Sequence, residues 1–390
     1  MLSPTISRFR GLHNSNDLVE MGLEWQRVVD NVNITNTGKI QRRDGFSLSF
    51  SAVPSGAFTT ADFLRMYLVD AGALKQVLPG LTTVTLRSGL VSDPMRWTEL
   101  NQRVYFTNGT DSGIILADGT VLDWVWGIPA APTLVPMTGS LPVGQYQVCC
   151  TFLLSDGRET GSGDVSVIDV TQGQGIQISG IPQAAGKTTL VYIAPANSQV
   201  FQFAFSNSSG SANWNSRPSS LGADLTTHMR RPLPAGASIP ASWMGRICAT
   251  SFFASKNQSA VWMSDALAPH LFDLQSGFFL VPGEVVLLAP TKDALIIGTR
   301  SEMFARGPDG ALTKIADYGA VPGYNWAPYD DQILMWTSRG VCKAMPFSNL
   351  TIDNISVAPG VRVGACLVQR SSVTFVACLQ AGGSPFKTSP

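Results

Sequence analysis

The chain has 390 residues, of which 44% are apolar and only 14% are charged, and its Lys and Arg total of 27 equals its Asp and Glu total. A net charge near zero gives no global basic field to attract nucleic acid, and so few charges indicate a surface largely covered by other protein. The sequence has no run of about 18 apolar residues, and its first residues lack a positive region followed by an apolar core. Neither a transmembrane helix nor a signal peptide is therefore predicted.

Residues 1–45 differ from the rest of the chain because they interleave charges of both signs. Within them, residues 28–34 alternate apolar and polar side chains, which favours a strand. A turn sequence at residues 36–38 follows, and residues 39–43 have the pattern of a second strand before Asp44 and Gly45. We therefore predict an N-terminal hairpin.

A small polar turn follows an apolar, strand-like run four times along the chain, with Asp70, Asn108, Arg300 and Ser338 as markers. The first two markers, and likewise the last two, are separated by about 38 residues, which is close to the period of β-propeller blades. A single blade leaves both of its faces exposed, so this repeat predicts a ring of blades that cover one another.

The period breaks at residues 128–132, a linker-like segment with two prolines. The runs at residues 144–154, 164–170, 175–181, 188–193 and 199–205 then have the spacing of strands in a β-sandwich. The Ser- and Asn-rich residues 206–220 predict a loose loop. Because the doublet Arg230-Arg231 and the following prolines end this module, we place an inserted β-sandwich at residues 130–235.

Removing the insert restores the period, with the missing turn expected near residues 250–256 and a last turn near residues 380–383. The predicted fold class is an all-β, roughly six-bladed β-propeller with an inserted β-sandwich; a count of five or seven blades stays open. The last blade is short of strands, and we expect the N-terminal hairpin to complete it and latch the ring. The predicted parts are the N-terminal segment and latch hairpin (1–45), the first blades (46–129), the insert (130–235) and the remaining blades (236–390).

Few residues suggest catalysis. His13, His228 and His270 have no partner at ligand spacing, and the chain lacks nucleophile-elbow, P-loop and zinc-protease motifs. Asp317, Asp330 and Asp331 are the carboxylates that a glycosidase would use, but they fall at expected turns without evident partners. We therefore predict no enzyme, with no catalytic, metal or cofactor-binding residues and no cofactor.

The other notable residues have simpler structural interpretations. The cysteines are expected to be small, buried hydrophobes in a reduced protein, and the tryptophans are expected to pack between blades. The Asp-Gly pairs are expected in hairpin turns, and the arginine doublets as loop charges or subunit contacts. These residues are Cys149, Cys150, Cys248, Cys342, Cys366 and Cys378; Trp97, Trp124, Trp126, Trp262, Trp326 and Trp336; Asp118-Gly119 and Asp156-Gly157; Arg42-Arg43 and Arg230-Arg231.

Two segments resemble the tail nozzle, or tail hub, proteins of short-tailed bacteriophages. Residues 30–46 read DNVNITNTGKIQRRDGF, similar to a D-N-hydrophobic segment with a later G and R-R-x-G that precedes the first blade in that family. Residues 261–274 read VWMSDALAPHLFDL, similar to a W-[SY]-[DE]-x-x-x-P-x-x-[FY]-D segment within the propeller. The inserted sandwich resembles the fibronectin-like or immunoglobulin-like modules of phage proteins.

The resemblance implies a structural β-propeller subunit in a homo-oligomeric, hexameric ring at the distal tail of the virion, assembled in the host cytoplasm. Implied partners are an adaptor ring above, a tail fibre, spike or plug protein, and DNA that passes transiently and without specificity during ejection, with no membrane insertion. The alternative is a carbohydrate-binding propeller adhesin that recognises the host surface. Assembly separates the two, because a nozzle needs broad ring contacts and an adhesin needs an exposed aromatic pocket.

Overall fold

The computed structural model describes residues 6, 8–15, 22–35, 37–43, 54–91, 93–356, 358–369 and 373–382. In these residues the regular structure is β, apart from three single-turn 3-10 helices. None of the described helices has the length and apolar character needed to cross a membrane.

The N-terminal residues form two small sheets. Strand β1 (Gly11–Leu12) pairs in parallel with β2 (Trp25–Gln26), and β3 (Val32–Ile34) pairs antiparallel with β4 (Ile40–Arg42). Gly38 lies in the turn of this hairpin with φ 79°, a conformation that glycine adopts without a steric penalty. The predicted hairpin is therefore present, although Asn36 and residues 44–46 of the resembling segment lie outside the described residues.

Two antiparallel four-stranded sheets follow, each with its strands adjacent in chain order, as in propeller blades. Blade 1 contains β5 (Gly56–Thr59), β6 (Met66–Asp70), β7 (Ala73–Val77) and β8 (Thr83–Arg87). Blade 2 contains β9 (Arg96–Leu100), β10 (Arg103–Thr107), β11 (Ser112–Ile115) and β12 (Val121–Leu122).

The insert is a two-sheet β-sandwich. Its strands are β13 (Thr133–Thr138), β14 (Gly144–Leu153), β15 (Ser166–Val170), β16 (Gln174–Ser179), β17 (Thr188–Ala194), β18 (Gln202–Asn207) and β19 (Ser211–Trp214). One sheet has the order β13-β16-β19 and the other β15-β14-β17-β18. Alternate side chains from both sheets, including Tyr146, Val148, Ile176 and Ile178, are fully buried between them.

The loop predicted at residues 206–220 is wrong in part, because β19 lies within it. The side-chain oxygen of Asn207 accepts hydrogen bonds from the backbone of Ser209 and Gly210, which builds a tight hairpin turn. Strand β19 then pairs with β16, and Trp214 enters the sandwich core. Tertiary burial of one tryptophan therefore overrides the loop-like composition.

Three more blades and a smaller sheet follow the insert. Blade 3 contains β20 (Ser238–Trp243), β21 (Arg246–Phe253), β22 (Gln258–Asp265) and a divided outer strand, β23 (Ala268–Phe272) and β24 (Phe278–Pro282). Blade 4 contains β25 (Val285–Pro290), β26 (Leu295–Thr299), β27 (Met303–Arg306) and β28 (Leu312–Ala316). After β29 (Gly323–Tyr324), blade 5 contains β30 (Trp326–Tyr329), β31 (Gln332–Thr337), β32 (Gly340–Lys343) and β33 (Ser348–Asn349). Blade 6 joins β34 (Arg362–Gln369) and β35 (Val373–Gln380), with β29 parallel to β34.

Buried clusters join successive blades, and together they show a β-propeller with an inserted sandwich. Blades 1 and 2 share Tyr67 and Phe106, and blades 2 and 3 share Trp124 and Phe272. Further clusters join blade 3 to blade 4, blade 4 to blade 5, and blade 5 to blade 6. Five of the six tryptophans singled out above lie in these clusters, as predicted: Trp97, Trp124, Trp262, Trp326 and Trp336.

The predicted repeat turns are equivalent positions of successive blades. Those at Asp70, Asn108, Arg300 and Ser338 all join the second strand of a blade to its third, and the missing turn is the 3-10 helix Ala254–Lys256 between β21 and β22. The turn expected at residues 380–383 has no described third strand after it. Gln380 ends β35, and Gly383 lies outside the described residues.

Strand alternation gives the propeller two different faces. One face carries the turns that join the first strand of a blade to the second and the third strand to the fourth. We call it the tip face. The opposite face, with the turns between second and third strands, is the repeat-turn face.

The latch prediction is not met in the described residues. There β3 and β4 pair only with each other, and the strand added beside β34 is β29. The N-terminal segment instead binds the loop after blade 5 through Asn14, whose backbone donates to the Asn354 carbonyl and whose side chain bonds the backbone of Ser356. The carbonyls of this loop can accept hydrogen bonds from Asn14 although the two segments are not aligned as paired strands.

Candidate functional site: the joint between insert and propeller

Residues of the second resembling segment occupy the place where the insert meets blade 3. Phe272 is fully buried and packs against Trp124 of blade 2, with ring centroids 6.4 Å apart. Trp262 packs against Phe278, with the two rings tilted by 48° and their centroids 4.9 Å apart, and donates from Nε1 to the Ser251 hydroxyl at 3.0 Å. These aromatic side chains fix the outer strands of blade 3, on which the insert rests.

Arg230 ties the end of the insert to the same segment. Its Nε lies 2.6 Å from Oδ2 of Asp265, and its Nη1 lies 2.9 Å from Oδ2 of Asp273. Its neighbour Arg231 pairs its backbone with Phe272 and donates from Nη1 to the Ser162 carbonyl at 2.8 Å. The doublet predicted as loop charges or subunit contacts is therefore an intrachain clamp, because one guanidinium can bind two carboxylates at once.

A second set of contacts at the joint consists of hydrogen bonds to backbone carbonyls. The indole nitrogens of Trp124 and Trp126 donate to the carbonyls of Pro269 and His270, at 3.1 and 3.3 Å. His270 is buried, and its Nε2 donates to the carbonyl of Glu159 in the insert at 2.9 Å. Burial is the main cause of the lowered pKa of His270, so the neutral ring is favoured in this position.

Close backbone contact at the joint requires glycine at two positions. A Cβ atom on Gly161 would lie 1.9 Å from the carbonyl oxygen of Arg230, and one on Gly163 would lie 1.8 Å from that of Pro129. Between them, Ser162 is fully buried, and its hydroxyl lies 2.9 Å from Nδ1 of His228. The Ser162 oxygen also accepts the backbone N–H of Met229, so this pair closes the joint rather than facing a substrate cleft.

The tip face carries strongly exposed apolar side chains. Phe63 and Leu64, at the turn between β5 and β6, are 84% and 82% exposed, and Leu267, between β22 and β23, is 90% exposed. All three lie on the tip face, where Leu81, Met244 and Tyr329 are also exposed. Phe63 has φ 59°, an unfavourable conformation for a bulky residue, which the turn holds while presenting the ring to solvent.

The carboxylates considered for glycan hydrolysis are not brought together. Asp330 and Asp331 are exposed in the turn between β30 and β31, and Asp317 is an exposed partner of Lys314. Asp118 and Asp156 lie in tight turns, as predicted, with Gly119 and Gly157 at positive φ. Among the described residues, no group of three or more His, Cys, Asp or Glu is placed to hold a metal ion.

The prediction that the cysteines are buried holds for four of the six. Cys149, Cys150, Cys248 and Cys342 are buried, whereas Cys366 and Cys378 are exposed. The exposed pair lies on one face of the β34–β35 hairpin, since Gly364 faces Cys378 and Cys366 faces Val376. The prediction was wrong for these two cysteines because their neighbours in sequence are apolar, although this face of blade 6 is exposed.

The sequence did not predict that the following residues come together at the joint. Arg230, Asp265, Asp273, His270 and Glu159 belong to segments up to 114 residues apart, from Glu159 to Asp273, and no local motif links them. The only available signal was the resemblance of residues 261–274 to a family segment.

Comparison with known proteins gives fold similarity only. No family model and no curated protein matches the chain. A streptogramin B lyase structure has 11% identity, covers 85% of this chain and 92% of its own, and gives a TM-score of 0.35. Apo AztD from Citrobacter koseri has 10% identity, with coverage of 85% and 87% and a TM-score of 0.27. Porphyromonas gingivalis dipeptidyl peptidase 4 has 7% identity, with coverage of 79% and 46% and a TM-score of 0.29.

Proposed function

We propose that this chain is a structural subunit of the tail of a short-tailed bacteriophage, where copies form the nozzle or hub ring through which DNA leaves the virion. The observation that carries the proposal is the second resembling segment, whose Asp265 and Asp273 bind Arg230 of the insert and whose Phe272 pairs its backbone with Arg231. The residues that carry the resemblance make structural contacts within the chain, which fits a protein whose role is not catalytic.

The tip face supports assembly of copies. Exposed apolar side chains at adjacent turns are characteristic of surfaces that bind another protein. Phe63 and Leu64 project from a turn tied to blade 2, where the backbone N–H of Ala61 donates to Glu99 at 2.8 Å and Arg65 donates to the Gln102 carbonyl at 3.2 Å. A fixed apolar tip loses little conformational freedom when a neighbouring subunit covers it.

In this proposal the DNA conduit lies between subunits and not along the axis of each propeller. The hydroxyl of Tyr324 donates to the carbonyl of Met95 near the axis. The two cavities there have volumes of about 210 and 530 Å³ and are thus no larger than small-molecule sites. A conduit that lets DNA slide should bind phosphates weakly, in keeping with the balanced charge of the chain.

The test is the oligomeric state of the purified protein, measured by light scattering and negative-stain microscopy. We expect closed rings, with six copies as implied by the resemblance, and only weak DNA binding. The Phe63→Asp/Leu64→Asp variant should dissociate the rings into folded subunits, because it places two charges in an apolar contact. Val143→Asp is the matched control, as Val143 is an exposed apolar residue of the insert.

Two results would contradict the proposal. One is a protein that stays monomeric at every concentration, alone and with tail proteins from the same phage. The other is glycan hydrolysis that disappears in Asp330→Asn or Asp331→Asn, which would place the protein among the enzymes.

A further inference from the structure

Two arginines face the propeller axis without a described acidic partner. Arg96, at the start of β9, lies over the ring of Tyr324, with Cζ 4.5 Å from the ring centroid. Arg362, at the start of β34, lines the same cavity as Arg96. Neither makes a hydrogen bond or ion pair from its guanidinium to any residue in the described part of the chain.

Of the two carboxylates that line these cavities, one is engaged and the other is exposed. Glu284 lines the cavity of about 210 Å³, but both of its oxygens bind Arg300, at 2.5 and 3.3 Å. Asp93 is exposed and lines the adjoining cavity of about 530 Å³, where it forms no ion pair with Arg362. Burial and the nearby charge of Arg362 both lower the pKa of Arg96, which is the effect of a positive charge without a counter-ion.

A third unsatisfied donor lies in the wall of the same cavity. Oδ1 of Asn108 accepts the backbone N–H groups of Thr110 and Asp111, at 3.0 and 2.6 Å, which fixes the orientation of the amide. Its Nδ2 is buried and has no hydrogen-bond partner among the described residues. Buried polar groups in folded proteins are almost always satisfied, so an orphan donor here needs an acceptor from elsewhere.

We propose that the cavity on the repeat-turn face binds a small oxyanion, a phosphate or a carboxylate, between Arg96, Arg362 and Asn108. Guanidinium groups bind the oxygens of such anions through short, charge-assisted hydrogen bonds, and the amide adds a neutral donor. A volume of about 210 Å³ is sufficient for a small oxyanion or the end of an acidic side chain. The inference is independent of the tail function, because it rests on the axis of one subunit.

The test uses the full chain and two probes, inorganic phosphate and succinate, each titrated at constant ionic strength while thermal unfolding is followed. A ligand that binds only the folded state raises the Tm saturably. We expect a saturable rise with at least one probe, and the probe that acts identifies phosphate or carboxylate as the preferred chemistry.

Three variants make the result specific. Arg362→Gln and Asn108→Asp should each weaken binding at least tenfold; the second keeps the acceptor for Thr110 and Asp111 but replaces the donor with a negative charge. Arg217→Gln removes the same charge from an exposed site on the insert and should bind as the unmodified protein does. The proposal is overturned if neither probe gives a saturable response, or if Arg217→Gln weakens binding as much as Arg362→Gln.

Discussion

The guanidinium of Arg230 lies 2.9 Å from the carboxylate of Asp273, and this pair joins the last segment of the insert to the outer strands of blade 3. Hydrogen bonds from Ser276 and the backbone of Gln275, together with the charge of Arg230, lower the pKa of Asp273 to about 2. The carboxylate of Asp273 should therefore stay charged, and the pair intact, until the pH falls towards 2.

We expect Asp273→Asn to reduce the free energy of unfolding at pH 7 by about 1 kcal/mol, the value of a partly exposed charged hydrogen bond. The folded pKa is below the usual 3.8, so the contribution of Asp273 is present above pH 4 and is lost as the pH falls towards 2. Urea unfolding at pH 7 and pH 2.5 measures this. An equal loss in the variant at both pH values would contradict it.

Gly161→Ala should destabilise the protein strongly, by about 3 kcal/mol, because the new methyl group meets the rigid carbonyl of Arg230. Gly127→Ala is the matched control near the same joint, since a Cβ atom there has no neighbour within 4 Å. Thermal unfolding of the two variants should show a large decrease in Tm for the first only. Similar Tm values for both would mean that the joint is loosely packed.

His270 should make the stability of the joint depend on pH in a higher range than Asp273 does, near pH 6.5 and below. Its pKa is lowered from the usual 6.5, mainly by burial, so the unfolded chain binds a proton before the folded one does. The free energy of unfolding should therefore decrease as the pH falls below 6.5. His270→Gln retains a donor for the Glu159 carbonyl and should remove part of this decrease; an unchanged decrease between pH 7.5 and 5 would exclude His270 as a cause.

The thiols should fall into two classes in the folded protein. Cys366 and Cys378 are exposed and should react with a maleimide, whereas the other four should react only after unfolding. Burial raises the pKa of Cys150 and Cys248 to about 12, which suppresses the reactive thiolate further. Mass spectrometry should find two labels per native chain and none after Cys366→Ser/Cys378→Ser. A label on Cys248 in the native protein would contradict the packing of blades 3 and 4.

Local sequence patterns by themselves determined most of the strands and the repeat turns, but not β19, whose residues have the composition of a loop. The turns at Asp70, Asn108, Arg300 and Ser338 are readable because a tight turn needs particular residues within four positions of one another. Apolar runs such as residues 144–154 are equally readable, since a buried strand must be apolar whatever it packs against.

The tertiary structure alone decided how these elements meet. The clamp of Arg230 on Asp265 and Asp273, the bond from His270 to Glu159, and the convergence of Arg96, Asn108 and Arg362 each join residues far apart in the chain. The contact of the N-terminal segment with the loop at Asn354 was decided in the same way. Such contacts depend on the curvature and order of the blades, which arise from packing of whole sheets and leave no pattern in a short window of sequence.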